Sequence, residues 1–183
     1  MKKAFIVVDM QNDFLTMALG SEGCNKALKG VLDILKNKVA NDDIILVTKD
    51  THDKENYPET KEGRNIAPHC IRGTIGWDYP IELKDALDDL SKDHTVIEFE
   101  KPTFGSSELF AYLLDHKEEI EKVYIMGVCS SICVHAQAVL ARTALKDSDI
   151  YLVRNAIGDF SKEAEEATIL SLKAMEIDTI EKL

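Results

Sequence analysis

The chain has 183 residues, of which 45% are hydrophobic and 30% are charged, and its formal net charge at pH 7 is -11. This length and apolar content can bury one sizeable core, so we expect a single domain over residues 1–183. The acidic charge makes nucleic acids and anionic membrane surfaces poor partners, and Asp9 ends the first apolar run well short of a signal peptide or membrane span. We therefore expect a cytoplasmic protein that binds neither nucleic acid nor membranes.

Apolar runs rich in β-branched residues alternate along the chain with segments of helical periodicity. The runs that predict strands are KAFIVVD (3–9), DIILVT (43–48), HTVIEFE (94–100), KVYIMGV (122–128), DIYLV (149–153) and, at an edge, IDTI (177–180). Helices are predicted over 25–39, 107–120, 130–146 and 162–175, the second of them capped by Ser106 or Ser107. This alternation predicts an α/β fold, a Rossmann-like, mainly parallel sheet of five to six strands in a three-layer α/β/α arrangement with helices on both faces.

One long segment interrupts the alternation. Residues 50–80 show little periodicity and many Gly, Pro, Asn and Thr residues, and a loop of this length inside a compact domain is usually functional. Ligands of open α/β sheets bind beyond the carboxyl ends of the strands. Because the loop, Asp9, Lys101 and the turn from Cys129 to Cys133 all follow strand ends, we expect them to meet at one rim of the sheet.

Three residues at that rim have the chemistry of a nucleophile and its helpers. Taken singly, Asp9 can cap a turn, Lys101 can be a solvated lysine, and a buried cysteine is usually a small apolar residue. Cys133 begins a predicted helix that Ser130 or Ser131 can cap, and a helix N-terminus lowers the pKa of a thiol. Together at adjacent strand ends, the three residues predict a thiol nucleophile with a base and an electrostatic partner.

Five short segments carry a family resemblance. In chain order they are VVDMQNDF, DTH, APHCIRGTIG, EKPTFGSSEL and GVCSSICV, and they extend over essentially the whole chain, from Lys3 to about Ile180. Each segment alone is a weak signal, but five in order with fitting strand context are a strong one. The set resembles the isochorismatase-like cysteine hydrolases, and within them the nicotinamidase and pyrazinamidase branch.

The resemblance implies a catalytic triad. Asp9, Lys101 and Cys133 match the family's acid, lysine and nucleophilic cysteine. Cys129 matches a small residue that follows a cis peptide bond in family members, here the Val128–Cys129 bond. The backbone N–H groups of Cys129 and Cys133 are then expected to form the oxyanion hole.

The loop offers a second group of residues. Asp50 and His52 project to the same side of an extended segment and His69 follows later, a set that suits zinc, iron or manganese, although surface loops often carry such residues without metal. In the nicotinamidase-like proteins the matching residues hold a divalent metal that binds the pyridine nitrogen of the substrate. The resemblance therefore implies a divalent metal cofactor, with zinc as first choice. Some relatives add a third loop residue, for which Glu59 fits best and Glu62 is second.

The substrate pocket is less well defined. We expect Phe14, Phe104 and Val128 to contact the substrate, with Tyr57 and Trp77 as further aromatic residues able to stack against a ring. The family often carries an aromatic residue and a second proline ahead of its Pro-His pair, where this chain reads NIAPH. Its nucleophile turn usually carries Thr-Asp, where this chain has two serines. These departures bear on the substrate more than on the type of reaction.

The resemblance favours hydrolysis of nicotinamide to nicotinate and ammonia through a cysteine thioester, by a protein that self-associates as a homo-oligomer. One alternative is a metal-free relative that acts on another small amide or a carbamoyl compound. Isochorismate is a weaker alternative, because hydrolysis of its vinyl ether needs no thiol nucleophile such as Cys133. A noncatalytic binding protein on the same fold is the most remote alternative, since the Asp9, Lys101 and Cys133 set is intact.

Overall fold

The centre of the protein is a six-stranded parallel sheet in the order β3-β2-β1-β4-β5-β6. The structure is a computed structural model that describes residues 2–40 and 42–183. Its strands are β1 (Lys2–Val8), β2 (Ile44–Asp50), β3 (Thr95–Lys101), β4 (Ile120–Val128), β5 (Asp149–Gly158) and β6 (Asp178–Ile180). Each strand predicted from the sequence is present, and β5 continues beyond its predicted end at Val153.

Helices cover both faces of the sheet, which confirms the three-layer α/β/α arrangement. They are α1 (Asn12–Leu15), α2 (Glu22–Asn37), α3 (Ile81–Leu90), α4 (Ser107–Asp115), α5 (His135–Ala144) and α6 (Lys162–Lys173). In β1, Phe5 and Val7 pack in the core layer that contains α2 and α3, whereas Ala4, Ile6 and Val8 pack in the layer that contains α4, α5 and α6. Because side chains of a strand alternate between faces, a strand buried on both faces is apolar throughout.

Serine side chains begin three of the helices. The hydroxyl of Ser21 accepts a hydrogen bond from the N–H of Cys24 at the start of α2, and Ser161 does the same in α6. Ser106, rather than Ser107, caps α4. The sequence analysis missed two helices, the four-residue α1 and α3, which directly follows the glycine- and proline-rich loop. For α3, the apolar spacing of its buried residues Leu83, Ala86 and Leu87 was the available signal.

The order of the strands creates a crevice between β1 and β4. From β1 the chain adds β2 and β3 on one side of the sheet, and from β4 it adds β5 and β6 on the other. Ligands of open α/β sheets bind where the strand order reverses, beyond the carboxyl ends. Asp9 follows β1 and Cys129 follows β4, so both border this crevice. Among the described residues, no helix combines the length and the apolar character needed to cross a membrane.

Gly127 allows the two strands of the crevice to approach closely. Its φ is +123°, and a Cβ atom at this position would lie 2.1 Å from the carbonyl oxygen of Val8. A Cβ atom added to Gly73, whose φ is +79°, would have nothing within 4 Å. We expect Gly127→Ala to lower the free energy of unfolding by about 3 kcal/mol, because it combines an unfavourable φ with a clash against backbone.

The matched control is Gly73→Ala, which carries only the cost of the positive φ, about 1 kcal/mol. Urea denaturation of both variants and the wild type measures the difference. Equal destabilisation by the two substitutions would contradict the role of the contact with Val8.

Candidate active site

Asp9, Lys101 and Cys133 meet at the carboxyl ends of the strands. The Nζ atom of Lys101 lies 2.7 Å from Oδ2 of Asp9 and 3.7 Å from Sγ of Cys133. The same Nζ lies 3.2 Å from Oδ1 of Asp50 and donates a hydrogen bond to the carbonyl oxygen of Thr103 at 2.9 Å. All three residues of the expected triad are buried. The structure therefore brings an acid, an ammonium group and a thiol together away from solvent.

The backbone and a neighbouring strand fix the Asp9 carboxylate. Asp9 has a φ of +49°, a left-handed conformation that residues other than glycine seldom adopt. Thr48, on the adjacent strand β2, donates its hydroxyl to Oδ1 of Asp9 at 2.7 Å. Such backbone conformations persist where the surrounding structure holds them, and they occur often at active sites.

Burial and the neighbouring charges together set the pKa values of the triad. It raises the pKa of the Asp9 carboxyl above its ordinary value, although the charge of Lys101 opposes the change. Burial also raises the pKa of the Cys133 thiol, and the negative charge of Asp9 adds to the effect. Burial alone would lower the pKa of Lys101, but the charges of Asp9, Cys133 and Asp50 raise it above its usual range. The expected lowering of the thiol pKa by a helix N-terminus is thus outweighed.

Cys133 lies in a π-helical turn, Ser130–Val134, that leads into α5. The Val128–Cys129 peptide bond before it is cis, as the resemblance implied. The carbonyl oxygen of Cys129 accepts hydrogen bonds from the N–H groups of Ile132 and Val134, both at 3.1 Å. Neither serine of this turn caps it: Cys129 is the N-terminal residue, without a side-chain cap. The expectation that Ser130 or Ser131 caps the helix was wrong. The carboxylate of Asp159, which follows β5, accepts a backbone N–H of this turn instead.

Four loop residues form a second cluster beside the triad. Oδ2 of Asp50 lies 3.0 Å from Nε2 of His52 and 3.3 Å from Nε2 of His69. Oε1 of Glu62 lies 3.6 and 3.4 Å from the same two nitrogens. One ligand atom of each residue lies within 4.8 Å of the others. The cluster contains Glu62, the second choice from the sequence, whereas Glu59 is exposed at the end of a 3₁₀ turn (Tyr57–Glu59) and is not part of it.

The cluster has the donor set of a divalent metal site. Nε2 of His52 is buried without a partner of hydrogen-bond geometry among the described residues, although Asp50 is close. Nδ1 of His69 lies 2.9 Å from the carbonyl oxygen of Ala67, a contact that orients the ring and leaves Nε2 for the cluster. His52 and His69 hold the pKa of the Asp50 carboxyl below its ordinary value, although burial would raise it. Two imidazoles and two carboxylates suit zinc, iron or manganese.

Gln11 and Asp13 hold the loop in place, a role that the sequence analysis missed. The side chain of Gln11 accepts a hydrogen bond from the N–H of Asp50 at 2.7 Å and donates one to its carbonyl oxygen at 2.8 Å. Oδ2 of Asp13 accepts the N–H of Cys70 at 2.7 Å, next to His69. Both residues belong to the segment MQNDF that follows Asp9, so their place beside the first residue of the expected triad was the available signal.

A cavity of about 200 Å³ lies between the triad and the cluster. Its lining residues are Phe14, Leu19, Asp50, Glu62, Ile66, His69, Phe104, Cys129, Ile132, Cys133 and Phe160. The structure thus places Phe14 and Phe104 in the pocket wall, as expected. Val128 does not line it, because its side chain is fully buried in the core layer of α2 and α3. Tyr57 and Trp77 also lie outside the lining.

Comparison with known proteins identifies the family. The model of the isochorismatase domain matches residues 3–182. This chain belongs to the isochorismatase family. A nicotinamidase of Schizosaccharomyces pombe is 26% identical to it over 208 residues, covering 97% of this chain and 92% of the relative.

Two solved structures share the fold of this isochorismatase-family protein. The crystal structure of the nicotinamidase PncA from Bacillus subtilis superposes with a TM-score of 0.85 at 26% identity, covering 99% of this chain and all of that one. The pyrazinamidase of Pyrococcus horikoshii, solved in complex with zinc, superposes with a TM-score of 0.78 at 26% identity, and both chains are fully covered. The similarity therefore extends over the whole fold.

The ammonium group of Lys101 stabilises two buried carboxylates in this family member. We expect Lys101→Met to lower the free energy of unfolding by about 3 kcal/mol, because Asp9 and Asp50 then face each other without a cation. Lys2→Met is the control, since Lys2 and Glu119 form an ion pair 3.1 Å long in which both side chains are largely exposed. Urea denaturation should show a large loss for the first variant and little change for the second. A similar result for both would contradict the role of burial.

Proposed function

We propose that this isochorismatase-family protein is a nicotinamidase, which converts nicotinamide and water to nicotinate and ammonia through a thioester on Cys133. The observation that carries the proposal is that one small cavity is lined both by Cys133 and by residues of the metal-type cluster, Asp50, Glu62 and His69. A carboxamide at Cys133 and a ring nitrogen at the cluster can thus belong to one molecule. The relatives named nicotinamidase support the same activity.

Asp9 acts as the base for the thiol in this scheme. Because burial raises its pKa, the ionised carboxylate is a stronger base than an exposed aspartate, which suits it to accept the Cys133 proton. The ammonium group of Lys101, 3.7 Å from Sγ, stabilises the thiolate as it forms. The thiolate then attacks the carboxamide carbon, and a C–S bond forms while the carbonyl oxygen takes the negative charge.

The same acid completes both halves of the reaction. Protonated Asp9 gives its proton to the amide nitrogen, the C–N bond breaks, and ammonia leaves a thioester on Cys133. Asp9 then takes a proton from water, whose oxygen attacks the thioester carbon. Nicotinic acid leaves as the C–S bond breaks, and the proton returns from Asp9 to the sulfur. The acid then ionises to nicotinate by giving its proton to the released ammonia. Proton and charge balance are restored at the end of each cycle.

Backbone N–H groups stabilise the oxyanion in this scheme. The amides of Ile132 and Val134 already donate to the carbonyl oxygen of Cys129. We assign the oxyanion hole to the amides of Cys129, which follows the cis peptide bond, and of Cys133, the nucleophile itself. Loss of one such donor typically costs about 3 kcal/mol in the transition state.

We propose that Asp50, His52, Glu62 and His69 hold a divalent metal, with zinc as first choice and iron or manganese as alternatives. When bound there, such a metal would supply a Lewis acid able to bind and orient a pyridine nitrogen. The pyrazinamidase neighbour solved with zinc supports this assignment. The cavity, smaller than the roughly 300 to 1,000 Å³ typical of sites for drug-sized ligands, suits a single-ring substrate.

The nucleophile is tested by Cys133→Ala. We expect ammonia release from nicotinamide to fall by about 10⁴-fold or more, because no other thiol in the described chain lies beside Lys101. Cys24→Ala is the matched control, since Cys24 is an equally buried cysteine outside the cavity lining, and it should keep activity within about threefold. Coupled measurement of ammonia gives both rates.

Two outcomes would contradict the assignment. Full activity in the Cys133 variant would remove the thioester from the scheme. No release from metal-loaded wild type would discard nicotinamide as the substrate, and a panel of other small amides and carbamoyl compounds would then identify the acyl group.

The metal ligands are tested by Glu62→Gln, with Glu59→Gln as the matched control. We expect the first substitution to weaken metal binding by at least about tenfold, because it removes one of two negative charges in the cluster. The second should leave binding unchanged, since Glu59 lies outside the cluster. Plasma mass spectrometry after dialysis against buffered zinc measures the bound metal per chain. Equal metal content in both variants would exclude Glu62 as a ligand.

We also propose a cytoplasmic location, which cell fractionation can test. All four cysteines are free thiols, and Sγ of Cys24 lies only 3.7 Å from Sγ of Cys129 without a bond between them. Neighbouring thiols remain reduced in compartments such as the cytosol. Self-association and a single domain over the full chain stay predictions.

A further inference from the structure

The proposed reaction leaves one buried carboxylate beside the nucleophile turn without a role. Asp159 directly follows β5 and is only 4% exposed. Its Oδ2 accepts hydrogen bonds from the hydroxyl of Ser130 at 2.7 Å and from the N–H of Ser131 at 2.6 Å. Its Oδ1 accepts the N–H of Phe160 at 2.8 Å. This carboxylate therefore ties the nucleophile turn, residues 130–134, to the end of a different strand.

The turn supplies most of the compensation for this buried charge. Within the part of the chain that the structure describes, Asp159 forms no ion pair with a basic side chain. A buried carboxylate needs hydrogen-bond donors in place of water, and two of its three donors come from the turn. The N–H of Ser131 also belongs to the first turn that leads into α5, where negative charge is favourable. The charge thus keeps all three of its donors only while the turn holds this conformation.

The backbone of Asp159 is itself held rigidly. The hydroxyl of Ser21 donates a hydrogen bond to the carbonyl oxygen of Asp159 at 3.1 Å. The start of α2 packs so closely that a Cβ atom at Gly23 would lie 2.3 Å from the same oxygen. A carboxylate whose backbone is fixed by the start of α2 is suited to orient a catalytic side chain, because positions in such sites must hold to a fraction of an ångström.

We propose that Asp159 is the positioning residue of Cys133. By accepting the N–H of Ser131 and the hydroxyl of Ser130, it fixes the turn at its start, and the two bonds to the carbonyl oxygen of Cys129 fix the remainder. The turn so held keeps the sulfur of Cys133 beside Lys101. The effect on turnover rests on the proposed amidase function, whereas the effect on the thiol does not.

The test compares Asp159→Ala with Asp159→Asn. An asparagine oxygen can still accept the two bonds from the turn, but alanine removes them. For Asp159→Ala we expect kcat with nicotinamide to fall by about 100-fold with KM changed by less than about threefold, because small displacements of reacting groups cost this much. We expect Asp159→Asn to restore kcat to within about tenfold of wild type.

A second measurement needs no substrate. The rate at which iodoacetamide alkylates Cys133, followed by mass spectrometry of the peptide, should fall about tenfold in Asp159→Ala and recover in Asp159→Asn. Ser161→Ala is the control, because it also removes a side-chain hydrogen bond to a backbone N–H, but at the start of α6 and outside the cavity lining. It should leave kcat and alkylation unchanged while lowering the melting temperature.

The outcomes separate the inference from the proposed function. If wild type releases no ammonia from nicotinamide, the alkylation rates alone decide. Folded Asp159→Ala with kcat and alkylation near wild type would overturn the proposal, as would an asparagine variant as impaired as the alanine variant. If Asp159→Ala does not fold, Ser130→Ala replaces it: about threefold slower alkylation supports the proposal, and an unchanged rate overturns it.

Discussion

The ammonium group of Lys101 compensates the charges of two buried carboxylates, and the rest of the site depends on it. Lys101 contacts Asp9 and Asp50, two buried carboxylates that would otherwise repel each other in a medium that screens charge poorly. The sheet order places the ends of β1, β2 and β3 side by side, and the register pairs Asp50 with Lys101 directly. Parallel strand pairing thus brings two carboxylates and an ammonium group to one point beside Cys133.

Asp50 couples the two halves of the site. Its Oδ1 contacts Lys101 of the triad, and its Oδ2 faces the histidines of the metal-type cluster. Any movement of this side chain therefore alters both the nucleophile's surroundings and the cluster. Two hydrogen bonds join the side chain of Gln11 to the backbone of Asp50. They explain why the polar side chain of Gln11 is fully buried.

Much of this site was open to prediction because its signals are local. The triad residues stand at the ends of recognisable strands, and periodicity revealed the sheet and most helices. The residues that were misjudged depend on how distant segments meet. Glu62 rather than Glu59 enters the cluster because a 3₁₀ turn leaves Glu59 exposed. Val128 lies in the core because strand alternation turns its side chain away from the cavity.

The sequence by itself determined the parallel α/β fold, the family and the five segments that carry the family resemblance, since hydrophobic periodicity and short motifs are local features of the chain. Only the tertiary structure decided which acid joins the histidines, which side chains line the cavity, and that Asp159, far from the nucleophile in sequence, holds its turn. These features depend on contacts between segments that are remote along the chain, and such contacts exist only after the strands have aligned and the loop has closed over their ends.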